Sequence, residues 1–204
     1  MSLTTFEEEV HLRALTGRLV GKALADLGVN KLAIIAPRNT ICSSIAAATE
    51  AGFIDHAGGV SRIFLTTPGE DEAQAVERTA EFGAPVLLLQ FGGETPIEVV
   101  KKSFVETLRR LAEKGVGETI VVHVRIFAAG GLAEALKDEK IREYLKGRQV
   151  IVYTVDFDRG LVLINKANLE GSEVKLEKIR EYPVTLEHAD LLNRSIKQRK
   201  LSFS

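Results

Sequence analysis

Two rhythms of apolar and polar residues alternate along this chain. Over residues 7–27, Leu12, Leu15 and Leu19 recur at three-to-four spacing and Gly28 follows, which predicts a helix with a glycine stop. The next segment, KLAIIAP (31–37), is short and unbroken in its apolar character, as expected of a strand covered by helices on both faces. PRNT then turns the chain into ICSSIAAATEAG (41–52), a helix of small residues that Gly52 is expected to end, and FIDHAGGVS (53–61) reads as a loop. From there the alternation is regular. RIFL (62–65), PVLLLQF (85–91) and ETIVVHVRIF (118–127) read as strands. EDEAQAVERTAEFG (70–83), PIEVVKKSFVETLRRLAEKG (96–115) and LAEALKDEKIREYLKG (132–147) read as the helices between them. Such alternation implies right-handed βαβ units around a parallel sheet.

After Gly147 the pattern changes. RQVIVYTV (148–155) and LVLINKA (161–167) flank DFDRG, the signature of a hairpin. EVKLEKIREY (173–182) supplies a third strand, and TLEHADLLNRSIKQRK (185–200) a closing helix. The expected fold is therefore one α/β domain: a three-layer sandwich with a Rossmann-like, mostly parallel sheet and an antiparallel C-terminal β extension.

Composition narrows the function classes. The 204 residues are 45% hydrophobic with a formal net charge of −1, enough for one sizeable core and without the charge excess that draws a protein to nucleic acid or an anionic membrane. No apolar run approaches the roughly 18–20 residues of a membrane span, and MSLTTFEEEVHL lacks the pattern of a signal peptide. A cytoplasmic location is the expectation. The single cysteine, Cys42, forms no internal disulfide and no cysteine zinc cluster. The absence of tryptophan, the lone initiator methionine and the abundance of Glu, Lys and Arg suggest a thermophilic source.

Two junctions spell T-P-x-E, at Thr67–Glu70 and Thr95–Glu98. Threonine at the N-cap, proline at N1 and glutamate at N3 would make a capping box at each. In LLLQFGGETPIEVVKK (87–102), phosphate binding is disfavoured by Glu94 and Glu98, by the absence of a following lysine and by a mismatch to G-x-G-x-x-G. Gly92-Gly93 serves either a tight turn or close approach to a ligand. The words QFGGETP resemble the Q-[FY]-G-G-Q-T-P stretch in the pre-ATP-grasp region of the carbamoyl phosphate synthetase large subunit. That resemblance implies a strand-turn-helix here. It departs at Glu94, extends to no ATP-grasp domain and implies no activity.

In an open parallel sheet, ligands sit outside the carboxyl ends of the strands, near a switch in strand order. Four junctions face that edge, and they pool Arg38, Asn39, Thr40, Ser43, Gly92, Gly93, Glu94, Thr95, Gly130 and Gly131 as candidate ligand-binding residues, with Ser44 and Thr67 beside them. Arg38 offers a fork of donors and the hydroxyls suit a small polar or nucleotide-like ligand. The plainer reading is that Asn39 or Thr40 caps a helix and Arg38 lies in solvent. Cys42 is read as a packed thiol over an activated one. His123 and Arg125 are expected on one face of the fourth strand. His11, His56 and His188 lack metal-ligand spacing and no G-x-S-x-G elbow is present, so no catalytic residue, metal or cofactor is assigned. Two rival readings remain. A non-catalytic assembly or regulatory protein, forming a homo-oligomer or binding nucleic acid, would use the basic tail Arg194, Lys197, Arg199 and Lys200. A metal-dependent nuclease would use Asp156 or Asp158 with Glu173 and Lys175 in a D…E-x-K pattern.

Overall fold

The computed structural model describes the backbone of residues 4–201 and the side chains of residues 4–196. The chain runs α1 (Phe6–Asp26), β1 (Lys31–Pro37), α2 (Thr40–Ala57), β2 (Val60–Thr66), α3 (Glu72–Phe82), β3 (Val86–Leu89), α4 (Ile97–Lys114), β4 (Thr119–Val122), α5 (Val124–Ala128), α6 (Gly131–Ala135) and α7 (Glu139–Lys146). It finishes with β5 (Gln149–Asp156), β6 (Leu161–Glu170), β7 (Glu173–Pro183) and α8 (Leu186–Leu201). The seven strands form one sheet in the order β2-β1-β3-β4-β5-β6-β7. The first five are parallel, and β6 and β7 are antiparallel. This is the expected α/β sandwich with its antiparallel extension. The order reverses between β1 and β3, which makes the gap between their carboxyl ends the topological switch point.

Alternation along each strand divides the core. Ala33 and Ile35 of β1 join Leu87 and Leu89 of β3 under α3, α4, α6 and α7. Leu32, Ile34 and Ala36 join Leu88 and Tyr153 under α1 and α2. Leu191 and Leu192 of α8 pack on Leu12 of α1, extending that second layer. Helix α1 and helix α2 are in backbone contact. A Cβ on Gly17 would lie 2.5 Å from the Ile45 carbonyl oxygen, and one on Gly21 or Gly52 would collide with the Thr49 or Arg18 carbonyl. This contact explains why Gly52 does not end α2, which continues to Ala57. Its missing side chain is used for packing inside the helix, and Gly58 supplies the left-handed stop.

Other boundaries also differ from the pattern. β2 begins at Val60, inside the segment read as a loop. β4 ends at Val122, and the residues read as its continuation form the short helix α5, with His123 as N-cap. Segment 132–147 is two helices, because the Asp138 carboxylate accepts from the amides of Lys140 and Ile141 and starts a new one. Neither T-P-x-E junction forms a capping box. At the first, Thr67 N–H donates to Asp71 Oδ1 at 2.6 Å and the helix starts later, at Glu72. At the second, Pro96 is the N-cap and makes no side-chain bond, while Thr95 Oγ1 accepts from Asn39. The reciprocal box forms instead at Thr5 and Glu8, at the head of α1. Among the described residues no helix is long and apolar enough to cross a membrane.

Candidate ligand-binding site

The loops leaving β1 and β3 meet at the switch point. Asn39 caps α2, its Oδ1 accepting from Cys42 N–H at 2.8 Å, and its Nδ2 donates to Thr95 Oγ1 at 3.3 Å. One side chain thus starts a helix and ties the two loops together. Gly93 sits at φ +76°, and a Cβ there would run into the Asn39 amide. The neighbouring Gly92 is constrained differently: a Cβ would lie 3.0 Å from Cε1 and 3.3 Å from Nδ1 of the His123 ring. One glycine of the pair therefore serves the turn, and the other the close approach of the side chain that caps α5.

Beneath this rim, on the α1/α2 side of the sheet, is a cavity of about 400 Å³. Phe6, Glu9, Arg13 and Thr16 of α1 form one wall, and Ile41, Cys42 and Ile45 of α2 the next. Gly93 and Glu94 contribute from the β3–α4 turn, with His123, Val124, Arg125 and Ala128 beside them at the end of β4 and in α5. Val155 and Phe157 enter from the β5–β6 hairpin, and Leu192, Ser195 and Ile196 from α8. The lining is mainly apolar, with Phe6 and Phe157 reaching solvent.

The polar groups of this layer are held in place. His123 Nδ1 accepts from Arg125 N–H at 3.1 Å, so this ring nitrogen carries no proton. Its ring stands edge-on to Tyr153, 5.3 Å between centroids, and Tyr153 Oη accepts from Gln90 Nε2 at 2.6 Å. Burial raises the Tyr153 phenol far above its ordinary range, so it stays protonated. Burial likewise pushes the Cys42 thiol up to about 11 despite bonds from the Asn39 side chain and the Gly92 backbone. Cys42 is a packed thiol, not an activated nucleophile. Arg13 pairs with Glu9 at 2.9 Å, and Glu9 also accepts from Thr4 Oγ1 at 2.8 Å. His188 Nε2 lies 2.9 Å from Thr16 Oγ1, which donates to the Leu12 carbonyl. Burial, and then the Arg13 charge, lower its pKa to about 4 and keep it neutral.

Of the residues singled out in the sequence, Gly93 and Glu94 line the cavity and Gly92 backs it. Asn39 and Thr95 hold the rim. Arg38 is exposed and leans 3.6 Å from Asp71, on the β2 side. Thr40 and Ser43 lie on the first turn of α2 outside the lining. Gly130 and Gly131 form the α5–α6 junction, where a Cβ on Gly131 would strike Ile126 at 2.7 Å. The sequence pattern missed Arg13, Thr16, Ser195 and Phe157, because α1, α8 and the hairpin lie far from the glycine turn along the chain. The expected placement of His123 and Arg125 on one strand face is corrected by α5, which brings both into the cavity wall instead.

The rival constellations come apart. Asp156 ends β5 beside Arg159, while Glu173 and Lys175 begin β7 at the far end of β6. A ten-residue strand separates them by about 30 Å, so the D…E-x-K carboxylates share no metal site. Among the described residues no other group of His, Cys, Asp and Glu could hold a metal. In the basic tail, Arg194 is paired with Glu8 at 2.7 and 2.8 Å and with Asp190 at 2.9 Å. It locks α8 onto α1. The side chains of Lys197, Arg199 and Lys200 lie outside the described residues.

The chain belongs to a protein family described as "Uncharacterized protein", whose model matches residues 9–191. No curated protein matches it. Among solved structures it is similar to a solute-binding protein of an ABC transporter from Rhodopseudomonas palustris BisB5, in complex with 3,4-dihydroxybenzoic acid. That match has 10% identity and a TM-score of 0.54, and covers 86% of this chain and 66% of the other. A second R. palustris ABC-transporter solute-binding protein, in complex with benzoate, matches at 14% identity and a TM-score of 0.45, covering 66% of this chain and 40% of that one. The chain thus spans just under two thirds of the first protein's length. The likeness to it is one of α/β fold.

Proposed function

We propose that the protein binds a small molecule with an apolar body in the cavity at the carboxyl edge of the sheet. The observation that carries this reading is the cavity itself. It has about 400 Å³ of space, mainly apolar walls and a few fixed polar groups, and it lies beside the switch in strand order. Small-molecule sites typically have about 300–1,000 Å³ with that balance of lining, and open α/β sheets place them at that point. The 3,4-dihydroxybenzoic acid in the similar solute-binding protein is a ligand of suitable size, which adds support. A polar, nucleotide-like ligand finds less support, since Arg38 turns toward Asp71 and the cavity walls are apolar.

The test is a thermal-shift and calorimetric screen of small aromatic and alicyclic compounds against the protein and two variants. Ala128→Trp starts from an exposed position on the lining and fills the space, and it is expected to abolish binding. Arg38→Ala, outside the lining, is expected to leave binding unchanged. A screen without a binder, or a binder that Ala128→Trp retains at full affinity, would remove this site.

A further inference from the structure

The described charges on the cavity wall leave no net sign: Glu9 and Glu94 stand against Arg13 and Arg125. They are also engaged or solvated. Glu9 pairs with Arg13 at 2.9 Å and accepts from the Thr4 hydroxyl, and both side chains of the pair are mostly buried. Arg125 and His123 have partners as well. Glu94 lies in solvent at the rim. A carboxylate or an ammonium group entering this space would give up its water and meet charges that already have counterparts. A neutral molecule gives up far less.

Ser195 stands apart from the other polar groups. A hydroxyl inside a helix commonly turns back to the carbonyl four residues earlier, as Thr16 does to Leu12, Thr49 to Ile45 and Thr79 to Ala75. Ser195, on α8, makes no side-chain hydrogen bond among the described residues. It is 3% exposed and borders the cavity beside the apolar Leu192 and Ile196. A hydroxyl so enclosed, able to donate one hydrogen bond and accept two, has its capacity open to whatever fills the space. Leaving it unmet is unfavourable, and one neutral oxygen on a ligand satisfies it.

We infer that the ligand is a neutral, largely hydrocarbon molecule carrying one oxygen group, a hydroxyl or a ketone, hydrogen-bonded to Ser195 Oγ. Its body lies against Ile41, Ile45 and Phe157. The cavity of about 400 Å³ equals roughly a dozen waters at about 30 Å³ each, room for one or two rings. This inference rests on the binding reading above and adds the ligand's charge state and its hydrogen-bonding partner.

Matched probes separate the two claims. Naphthalene, 2-naphthol, 2-naphthoate and 2-naphthylmethylamine share one body and differ in the group it carries. Each is titrated calorimetrically at neutral pH into the wild-type protein, Ser195→Ala and Ala128→Trp. In the wild-type protein 2-naphthol is expected to bind most tightly, with the acid and the amine at least about tenfold weaker. Ser195→Ala, which keeps a good helix former in α8, should lower 2-naphthol affinity about 2- to 10-fold and leave naphthalene unchanged. An acid or amine that binds the wild-type protein as tightly as 2-naphthol would overturn the neutral assignment without recourse to any variant. So would 2-naphthol affinity that ignores Ser195→Ala, while the cavity reading stands as long as Ala128→Trp abolishes binding. If none of the four probes binds, both fall.

Discussion

The two faces of the sheet are built on different terms. Under α3, α4, α6 and α7, strand residues such as Leu87, Leu89, Ile120 and Val122 meet Phe104, Leu108 and Leu111 in a sealed apolar layer. Most of its buried polar groups belong to helices and are settled locally or between helices: Thr79 donates to the Ala75 carbonyl, and Glu72 accepts from Ser103 and Gly69 N–H. Under α1, α2 and α8, the sheet itself carries polar side chains. Gln90, just past β3, and His123, just past β4, stand beside Tyr153 of β5, and Thr16 and His188 face each other from two helices. Gly17, Gly21 and Gly52 bring two backbones into contact on this side, and the cavity opens beside them. The first face maximises apolar burial. The second combines a rigid helix pair with polar groups that have fixed directions, as a specific binding site requires.

Substitutions on the two faces should therefore separate stability from binding. The largest expected loss is from the sealed face: Leu108→Ala leaves a hole at a fully buried position and should cost about 2–5 kcal/mol in urea unfolding, while ligand affinity per folded molecule stays unchanged. Gly21→Val, on the other face, pushes a side chain into the Thr49 carbonyl and must part α1 from α2. It should cost about 1–3 kcal/mol and weaken binding as well, because both helices wall the cavity. Gly92→Val should be milder for stability but must displace the His123 ring. A binding loss of at least about tenfold with a smaller stability change would place the contrast at the level of single residues. Equal losses of stability and binding in all three variants would erase it.

The smallest effect concerns pH and the α1–α8 seam. The buried His188 ring resists protonation, with its pKa lowered from 6.5 to about 4. The unfolded chain takes up this proton first, so stability present above pH 6.5 should decline as pH falls toward 4. The Glu8 carboxyl is held at about 2, below its ordinary 4.5, chiefly by the hydrogen bond from Arg194 and then by Thr5 N–H. Its contribution is complete above 4.5 and disappears as pH falls toward 2. Thermal midpoints measured from pH 8 to 3 should show this two-stage decline. His188→Asn, which retains a donor for Thr16, should flatten the upper stage only.

The pattern of apolar runs identified the elements well where burial is complete. KLAIIAP is a central strand because six of its seven residues are buried, and no other local structure satisfies a run that short and apolar. The pattern failed where one residue had two competing uses. Gly52 has the chemistry of a helix stop, yet its contact with the Arg18 backbone keeps it inside α2. Thr95 matches an N-cap, yet its hydroxyl is engaged by Asn39 from another loop. In both cases the deciding partner lies more than thirty positions away and leaves no local trace in the sequence.

The candidate site divides in the same way. That ligands should gather at the carboxyl edge, near Gly92 and Gly93, followed from strand-helix alternation alone, because parallel strands send all their exits to one rim. Which side of the sheet holds the cavity, and that Arg13, His123, Arg125 and Ser195 meet there, was decided by α1 and α8 folding together over that rim through Leu12, Leu191 and the Glu8–Arg194 pair. Periodicity encodes which face of an element is apolar. The chain's own patterning does not encode which distant element will cover that face, since many apolar surfaces could serve and only the packed whole selects one.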